Sequence, residues 1–413
     1  MGFVYPDGII STAGHVDAGK TSVVYALSGV WVARHSEEVK KAMTIKLGYT
    51  QIGIYDCPGS EYPVSDGLLD KGKCPDGSEP KLLRKISIVD VPGHEVLIAT
   101  MVSGAAAVDA ALMVVDATMP VPQPQTAEHF AVLDIIGMKN MVVAQNKIDL
   151  VPREKAVENY GQIRKFLSGT WAQSSPVVPV SALHRVNIDV LAAYVAKITP
   201  RREPDLSKPA RMAVLRSFNV NPPGTSPDKL RGGVLGGTLL QGAIRLGDEV
   251  EIRPGLKIER PGAKSPYQPL LTKVVGIEYG GEKAEEARPG GLLGLMTTLD
   301  PALTKADALA GSVVGKPGTL PPVWTSLELE VKELPRIGEK AEPMKPNEVV
   351  LVSIGAATVF GVVQSVKKDV AVIALRKAVS AEQGAKAVVT RQIRNRWIVS
   401  NYGVLRGGNV VLE

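Results

Sequence analysis

Over the first 200 residues, short apolar runs alternate with stretches that place apolar side chains at helical spacing. The runs are nearly continuous, as in Ala110-Ala-Leu-Met-Val-Val-Asp116, and recur at residues 84–90, 141–145 and 177–180, after a first run at 8–13. Residues 125–136 and 153–167 carry the helical pattern between them. Strands without polar alternation, interleaved with helices, predict a mainly parallel sheet with helices on both faces. The pattern breaks at Thr199-Pro-Arg-Arg-Glu-Pro-Asp-Leu-Ser-Lys-Pro209, which reads as a linker. Helical spacing then largely disappears. Strand-like segments follow at 211–220, 232–240, 248–252, 270–279 and 291–297, separated by Gly and Pro, which predicts a β-barrel or sandwich. A second break at 318–323 precedes another set at 324–334, 348–354, 358–366, 370–375, 387–392 and 397–404. The expected organisation is an α/β domain over residues 1–207 followed by two all-β units, 208–323 and 324–413.

Composition narrows the class. At 413 residues, 45% hydrophobic and 22% charged, the chain is that of a globular protein of two or three domains. No apolar run reaches the length of a membrane span, and the first residues lack a basic segment followed by an apolar core, so neither a transmembrane helix nor a signal peptide is expected. Two cysteines, Cys57 and Cys74, exclude a disulfide framework and suit a cytoplasmic enzyme. The net charge of +6 leans toward a polyanionic partner without identifying one.

Candidate chemistry begins at Gly14-His-Val-Asp-Ala-Gly-Lys-Thr21, which fits the P-loop pattern and lies between a strand-like run and a helical one. There Gly14 and Gly19 let the backbone turn its N–H groups toward phosphate oxygens. Lys20 reaches the β- and γ-phosphates, and the Thr21 hydroxyl ligates magnesium. Asp90-Val-Pro-Gly-His94 closes the next strand: Asp90 is placed to hold magnesium through water, Gly93 to give its N–H to the γ-phosphate, and His94 to orient the attacking water. In Asn146-Lys-Ile-Asp149 the Asp149 carboxylate accepts both guanine N–H donors, a pairing adenine lacks, and Ser181-Ala-Leu183 closes the base pocket through backbone N–H groups. Thr44 is the candidate that closes over the γ-phosphate. The other histidines, His15, His35, His129 and His184, read as packing or surface residues. Any one string is weak evidence; four in order, each at a predicted strand end, indicate a GTPase.

With these motifs the chain resembles the translational GTPases. Gly14-His-Val-Asp17, Asp90-Val-Pro-Gly-His94 and Pro122-Gln-Pro-Gln-Thr-Ala-Glu-His129 are similar to the elongation factor Tu family. Ala42-Met-Thr-Ile-Lys-Leu-Gly-Tyr49, an insertion at about 50–83 and Thr390-Arg-Gln-Ile-Arg-Asn-Arg-Trp397 are similar instead to the gamma-subunit family of the archaeal and eukaryotic initiation factor that delivers initiator tRNA. The resemblance implies an α/β P-loop GTPase domain followed by two β-barrels, with GTP or GDP and magnesium as ligands. The implied nucleotide contacts are Asp17, Ala18, Gly19, Lys20, Thr21, Ser22, Gly93, Asn146, Lys147, Asp149, Ser181, Ala182 and Leu183. Asp17, Thr21, Thr44 and a backbone group of Ala42 would surround magnesium, and Val16 and Met43 would flank His94. The implied partners are methionylated initiator tRNA, alpha and beta subunits and the small ribosomal subunit, with no membrane.

The sequence departs from the family in three places. Ala18 replaces a histidine, with little effect expected because its neighbours bind through the backbone. Ala42 stands where glycine is usual. The insertion keeps one cysteine from each of the two pairs of a zinc knuckle, so zinc is not expected. A mixed site with Asp56 or Asp76, and a Cys57–Cys74 disulfide, both stay open. In the last domain Arg391, Arg394 and Arg396, beside Trp397, are candidate RNA contacts. An elongator-type factor and a GTP-regulated protein-binding module are the rival readings.

Overall fold

The computed structural model describes residues 3–32, 48–91, 108–258, 266–334, 343–393 and 396–413. The described residues through Arg202 form one compact unit and those from Glu203 onward form a second.

The first unit runs β1 (Ile9–Ala13), α1 (Lys20–Ser28), β2 (Gly48–Asp56), β3 (Val64–Ser65), β4 (Lys81–Asp90), β5 (Ala110–Asp116), α2 (Pro124–Ile136), β6 (Met141–Asn146), α3 (Arg153–Leu167), β7 (Val177–Pro179) and α4 (Ile188–Ile198). Its sheet has the order β3-β2-β4-β1-β5-β6-β7. From β4 to β7 the strands are parallel, and β2 and β3 extend the edge antiparallel. The central strands are buried on both faces, which is why their sequences show no alternation. Ile10, Leu112, Val114, Val142 and Ala144 pack against Val23, Val24 and Leu27 of α1 and Leu191 and Val195 of α4. The alternate residues Ala111, Met113 and Val143 are equally buried and point to the other face. α2 and α3 meet through the Phe130 and Phe166 rings, 5.1 Å apart. Parallel strands bring Ala13, Asp90, Asp116 and Asn146 to one edge of the sheet, at their carboxyl ends.

Between β2 and β4 the insertion has its own small core of Val64, Cys57 and Cys74, with Tyr55, Leu68 and Leu69 packed on it. The two cysteines form a disulfide, with Cα atoms 5.6 Å apart. This decides between the alternatives left open above and sets aside Cys57 and Cys74 as zinc ligands, because a disulfide sulfur is not the thiolate a metal requires. Asp76 is turned to Ser78, whose N–H and hydroxyl donate to its carboxylate at 3.0 and 2.6 Å.

The second unit contains β8 (Arg211–Phe218), β9 (Val234–Gln241), β10 (Ile244–Arg245), β11 (Glu249–Lys257), β12 (Tyr267–Tyr279), β13 (Glu282–Ala284), β14 (Glu286–Ala287), β15 (Leu292–Thr297) and β16 (Val313–Gly315). Six of these close a barrel in the order β11-β16-β8-β9-β15-β12, with β12 returning to β11. A second closed barrel follows: β17 (Val323–Glu333), β18 (Val349–Ile354), β19 (Ala357–Lys367), β20 (Val370–Ser380), β21 (Lys386–Ile393) and β22 (Arg396–Leu412), in the order β17-β20-β19-β18-β21-β22. At their seam Arg253 is buried against Glu251 at 2.6 Å and donates to the Leu320 and Pro321 carbonyls at 3.0 and 3.1 Å. The Ala378 N–H donates to the Tyr267 hydroxyl at 3.0 Å. Among the described residues no helix is long and apolar enough to cross a membrane.

Candidate nucleotide site

The loop from β1 to α1 is shaped by two glycines that no other residue could replace. Gly14 has φ +129°, and a Cβ there would sit 2.2 Å from the Val114 carbonyl oxygen; Gly19 has φ +91°, and its Cβ would sit 2.3 Å from Asn146 Nδ2. The N-cap residue of α1 is Gly19, which has no side chain to cap the helix, and the positive end of the helix dipole faces the loop. The loop is braced from the neighbouring α2 region. The Gly14 N–H donates to His129 Nδ1 and the Val16 N–H to Gln125 Oε1, both at 3.0 Å. Accepting at Nδ1 places the His129 proton on Nε2, which is buried without a partner. Complete burial, with Lys20 and His15 nearby, lowers the His129 pKa to about 3 and keeps the ring neutral.

Lys20 is folded under the loop. Its ammonium is buried and donates to the Gly14 and His15 carbonyls at 3.0 and 2.7 Å. Burial outweighs the attraction of Asp90 and Asp17 and brings its pKa down to about 8. A desolvated cation held by carbonyls gains most from an incoming phosphate. At the end of β4, Asp90 receives the Thr21 hydroxyl on Oδ2 at 2.6 Å and the Thr12 hydroxyl on Oδ1 at 2.9 Å. Thr12 Oγ1 in turn accepts from the Val91 N–H at 2.8 Å. The carboxylate and the Thr21 hydroxyl, predicted to share magnesium, are therefore adjacent.

The base side is assembled by Asn146. Its Nδ2 donates to the Ala18 carbonyl at 3.0 Å and its Oδ1 accepts the Ala182 N–H at 3.1 Å, so one side chain ties the P-loop to the Ser181–Leu183 turn. Lys147 adopts φ +65° and pairs with Asp116 at 2.7 Å. Burial opposes ionisation of Asp116, but the hydrogen bonds from Lys147 and Thr118 prevail and hold its pKa below the ordinary value. Asp149 follows in a short 3-10 turn, with His184 Nε2 at 3.8 Å from its carboxylate. Ser181 is buried, its Oγ accepting the His184 N–H at 3.2 Å, while Leu183 is 79% exposed. Ser22 lies in the first turn of α1 and Asp17 at the loop tip with φ +60°.

Ala42, Met43, Thr44, Gly93, His94 and Arg394 lie outside the described residues. Arg396 begins β22, and its side chain also lies outside them. The structure corrects Arg391 as an RNA contact. Its partner across β18 is Val350, a core residue, so Arg391 falls on the inward face. Its guanidinium is 4% exposed and donates to Glu348 Oε1 and Oε2 at 2.6 and 3.0 Å and to the Pro343 carbonyl at 3.2 Å. Sequence reasoning also passed over His129 and Gln125 as supports of the P-loop; the only signal was their place in Pro122-Gln-Pro-Gln-Thr-Ala-Glu-His129.

Residues 8–201 match the family model described as "Elongation factor Tu GTP binding domain", and residues 325–405 match "Initiation factor eIF2 gamma, C terminal". Translation initiation factor 2 subunit gamma of Pyrococcus abyssi is 48% identical over 404 residues, 96% of this chain and 97% of that protein. The protein of the same description from Methanothermobacter thermautotrophicus is 47% identical over 405 residues, 96% of this chain and 98% of that one. In fold the chain is similar to the crystal structure of a bacterial selenocysteine-specific elongation factor EF-Sec, with a TM-score of 0.71 at 24% identity, covering 97% of this chain but only 58% of that one.

Proposed function

The chain belongs to the family of translation initiation factor 2 gamma subunits and is a translational GTPase, and from that premise we propose that it carries methionylated initiator tRNA to the small ribosomal subunit in its GTP state and releases it after hydrolysis. The observation that carries this reading is that the likeness to the gamma subunits runs through both barrels as well as the nucleotide domain. In the proposed site Lys20 exchanges its two carbonyl partners for phosphate oxygens, and the P-loop N–H groups complete the cradle. Asp149 reads guanine, held at the correct height by the Asn146 bridge between Ala18 and Ala182.

The oxygens gathered at Thr21 and Asp90 are hard donors that suit magnesium. Asp17, Thr21, Thr44 and the Ala42 backbone would surround it, with Asp90 acting through water; when bound it would neutralise charge on the β- and γ-phosphates. His94 is assigned the water-orienting role on sequence grounds. Alpha and beta subunits complete the proposed carrier.

The test is filter binding of charged initiator and charged elongator tRNA to the chain with its alpha and beta subunits, in GTP and in GDP. The reading expects initiator tRNA to be favoured and GTP to raise its affinity tenfold or more, about 1.4 kcal/mol of coupling. Equal binding of both tRNAs in GTP removes the initiation role.

A further inference from the structure

The second unit carries a cavity of about 400 Å³ at the seam between its two barrels, lined by Leu256, Lys257 and Tyr267 of the first barrel, Leu309 beside them, and Arg376 and Lys377 of the second. Among the described residues its lining carries three cations, Lys257, Arg376 and Lys377, and no carboxylate. Among the described residues Lys377 Nζ donates a long 3.3 Å contact to the Ala308 carbonyl, and although the residue as a whole is exposed, partial desolvation lowers its pKa. Arg376 belongs to two features. Besides lining the cavity, its guanidinium lies 5.9 Å from the centre of the Phe360 ring. Phe360 in turn meets Trp397 edge to face at 5.7 Å.

The strand register explains the aromatic row. Phe360 pairs with Leu351, and Leu351 with Thr390, while Trp397 pairs with Gln392 two residues further along β21. Their sequence neighbours Val350 and Arg391 face inward, so this row faces outward across four adjacent strands. Phe360 is 44% exposed there, in a chain with only five Phe and four Trp. An outward aromatic pair is not needed by the barrel core, which Val350, Val352 and Val363 fill.

We propose that the cationic seam and the Phe360–Trp397 platform, joined by Arg376, form a binding surface for a single-stranded segment of RNA. Phosphates sit at Lys257, Arg376 and Lys377 while a base stacks on the aromatic platform. Cations alone would suit an acidic peptide equally well; it is their continuity with the exposed Phe360 ring and the half-buried Trp397 beside it, on which any base stacks, that selects a nucleic acid. The choice of RNA follows from the translational family and not from the proposed tRNA delivery, which concerns the aminoacylated end and the nucleotide state.

The probe is fluorescein-labelled decauridylate, titrated with the full chain in GDP and followed by anisotropy at two salt concentrations. Wild type is expected to bind, more weakly at high salt. Phe360→Ala should weaken binding five- to a hundredfold, and Lys377→Glu tenfold or more with a smaller salt effect, while both variants keep wild-type GDP affinity and thermal midpoint. Absence of decauridylate binding, or binding that Phe360→Ala leaves unchanged, overturns the proposal. So does labelled hexaglutamate binding that is lost in Lys377→Glu and tighter than that of the RNA. The tRNA filter assay is read separately, so the failure of one reading leaves the other standing.

Discussion

A side chain on Gly19 would take the space of the Asn146 amide, and the nucleotide site depends on that close approach. Gly19→Ala would set a Cβ 2.3 Å from Asn146 Nδ2 and force a left-handed backbone on a residue with a side chain, a strain of about 1–2 kcal/mol before any clash. Displacing Asn146 loosens Ala18 and Ala182 together, so GDP affinity, measured by fluorescent nucleotide titration, should fall tenfold or more; an unchanged affinity would show that the bridge is not needed. His129 supplies a pH dependence with a definite sign. Its folded pKa of about 3 lies below the ordinary 6.5, so above pH 6.5 neither folded nor unfolded chain binds the proton. Below that only the unfolded chain does, and stability present at neutral pH is lost as the pH falls toward 3, by about 1.4 kcal/mol per unit. Urea unfolding of the nucleotide unit should therefore show roughly 2 kcal/mol less stability at pH 5 than at pH 7, with His129→Gln flattening the slope. The Gly-Lys-Thr and Asn-Lys-x-Asp strings were legible because their chemistry is local. His129 and Arg391 were not, because helix docking gives one its partner and strand register gives the other its inward direction.

At the scale of elements, the apolar run and the helical pattern with the clearest spacing transferred almost unchanged: residues 110–116 are β5, and residues 153–167 are α3. What was harder lay at the sheet edge, where β2 carries polar residues among apolar ones and pairs antiparallel. The insertion after it was ambiguous for a chemical reason, since two cysteines look alike in sequence whether they are thiols or a disulfide. Folded, they are 3% and 1% exposed and separated by 17 positions. A loop of that length constrains the unfolded chain by about 3 kcal/mol. Cys74→Ser should remove most of that from denaturant-measured stability, and dithiothreitol should do the same to the wild type. Because a Cβ on Gly67 would lie 2.0 Å from the Ala26 carbonyl oxygen, the insertion sits directly on α1. Equal stability with and without reductant would mean the bond constrains nothing.

For the molecule as a whole, strand patterns set off by proline-rich breaks left barrel and sandwich open, since closure joins strands far apart in sequence, and it was the family resemblance that implied the two closed barrels the structure has. In the second barrel β17 is held on one side by β20 and on the other by β22, with Val323 paired to Leu412. That pairing sets an order of events during the protein's own synthesis. Until residues 396–412 have left the ribosomal exit tunnel, β17 and β21 each present an unpaired edge, open to proteases and to edge-to-edge association. The nucleotide unit, whose sheet is complete by β7, has no such wait. Stalled nascent chains released just before β22 should yield a protease-resistant nucleotide unit and a digestible last barrel, and equal resistance of the two would contradict this. A factor that helps ribosomes begin their work would thus depend on how far another ribosome has already travelled.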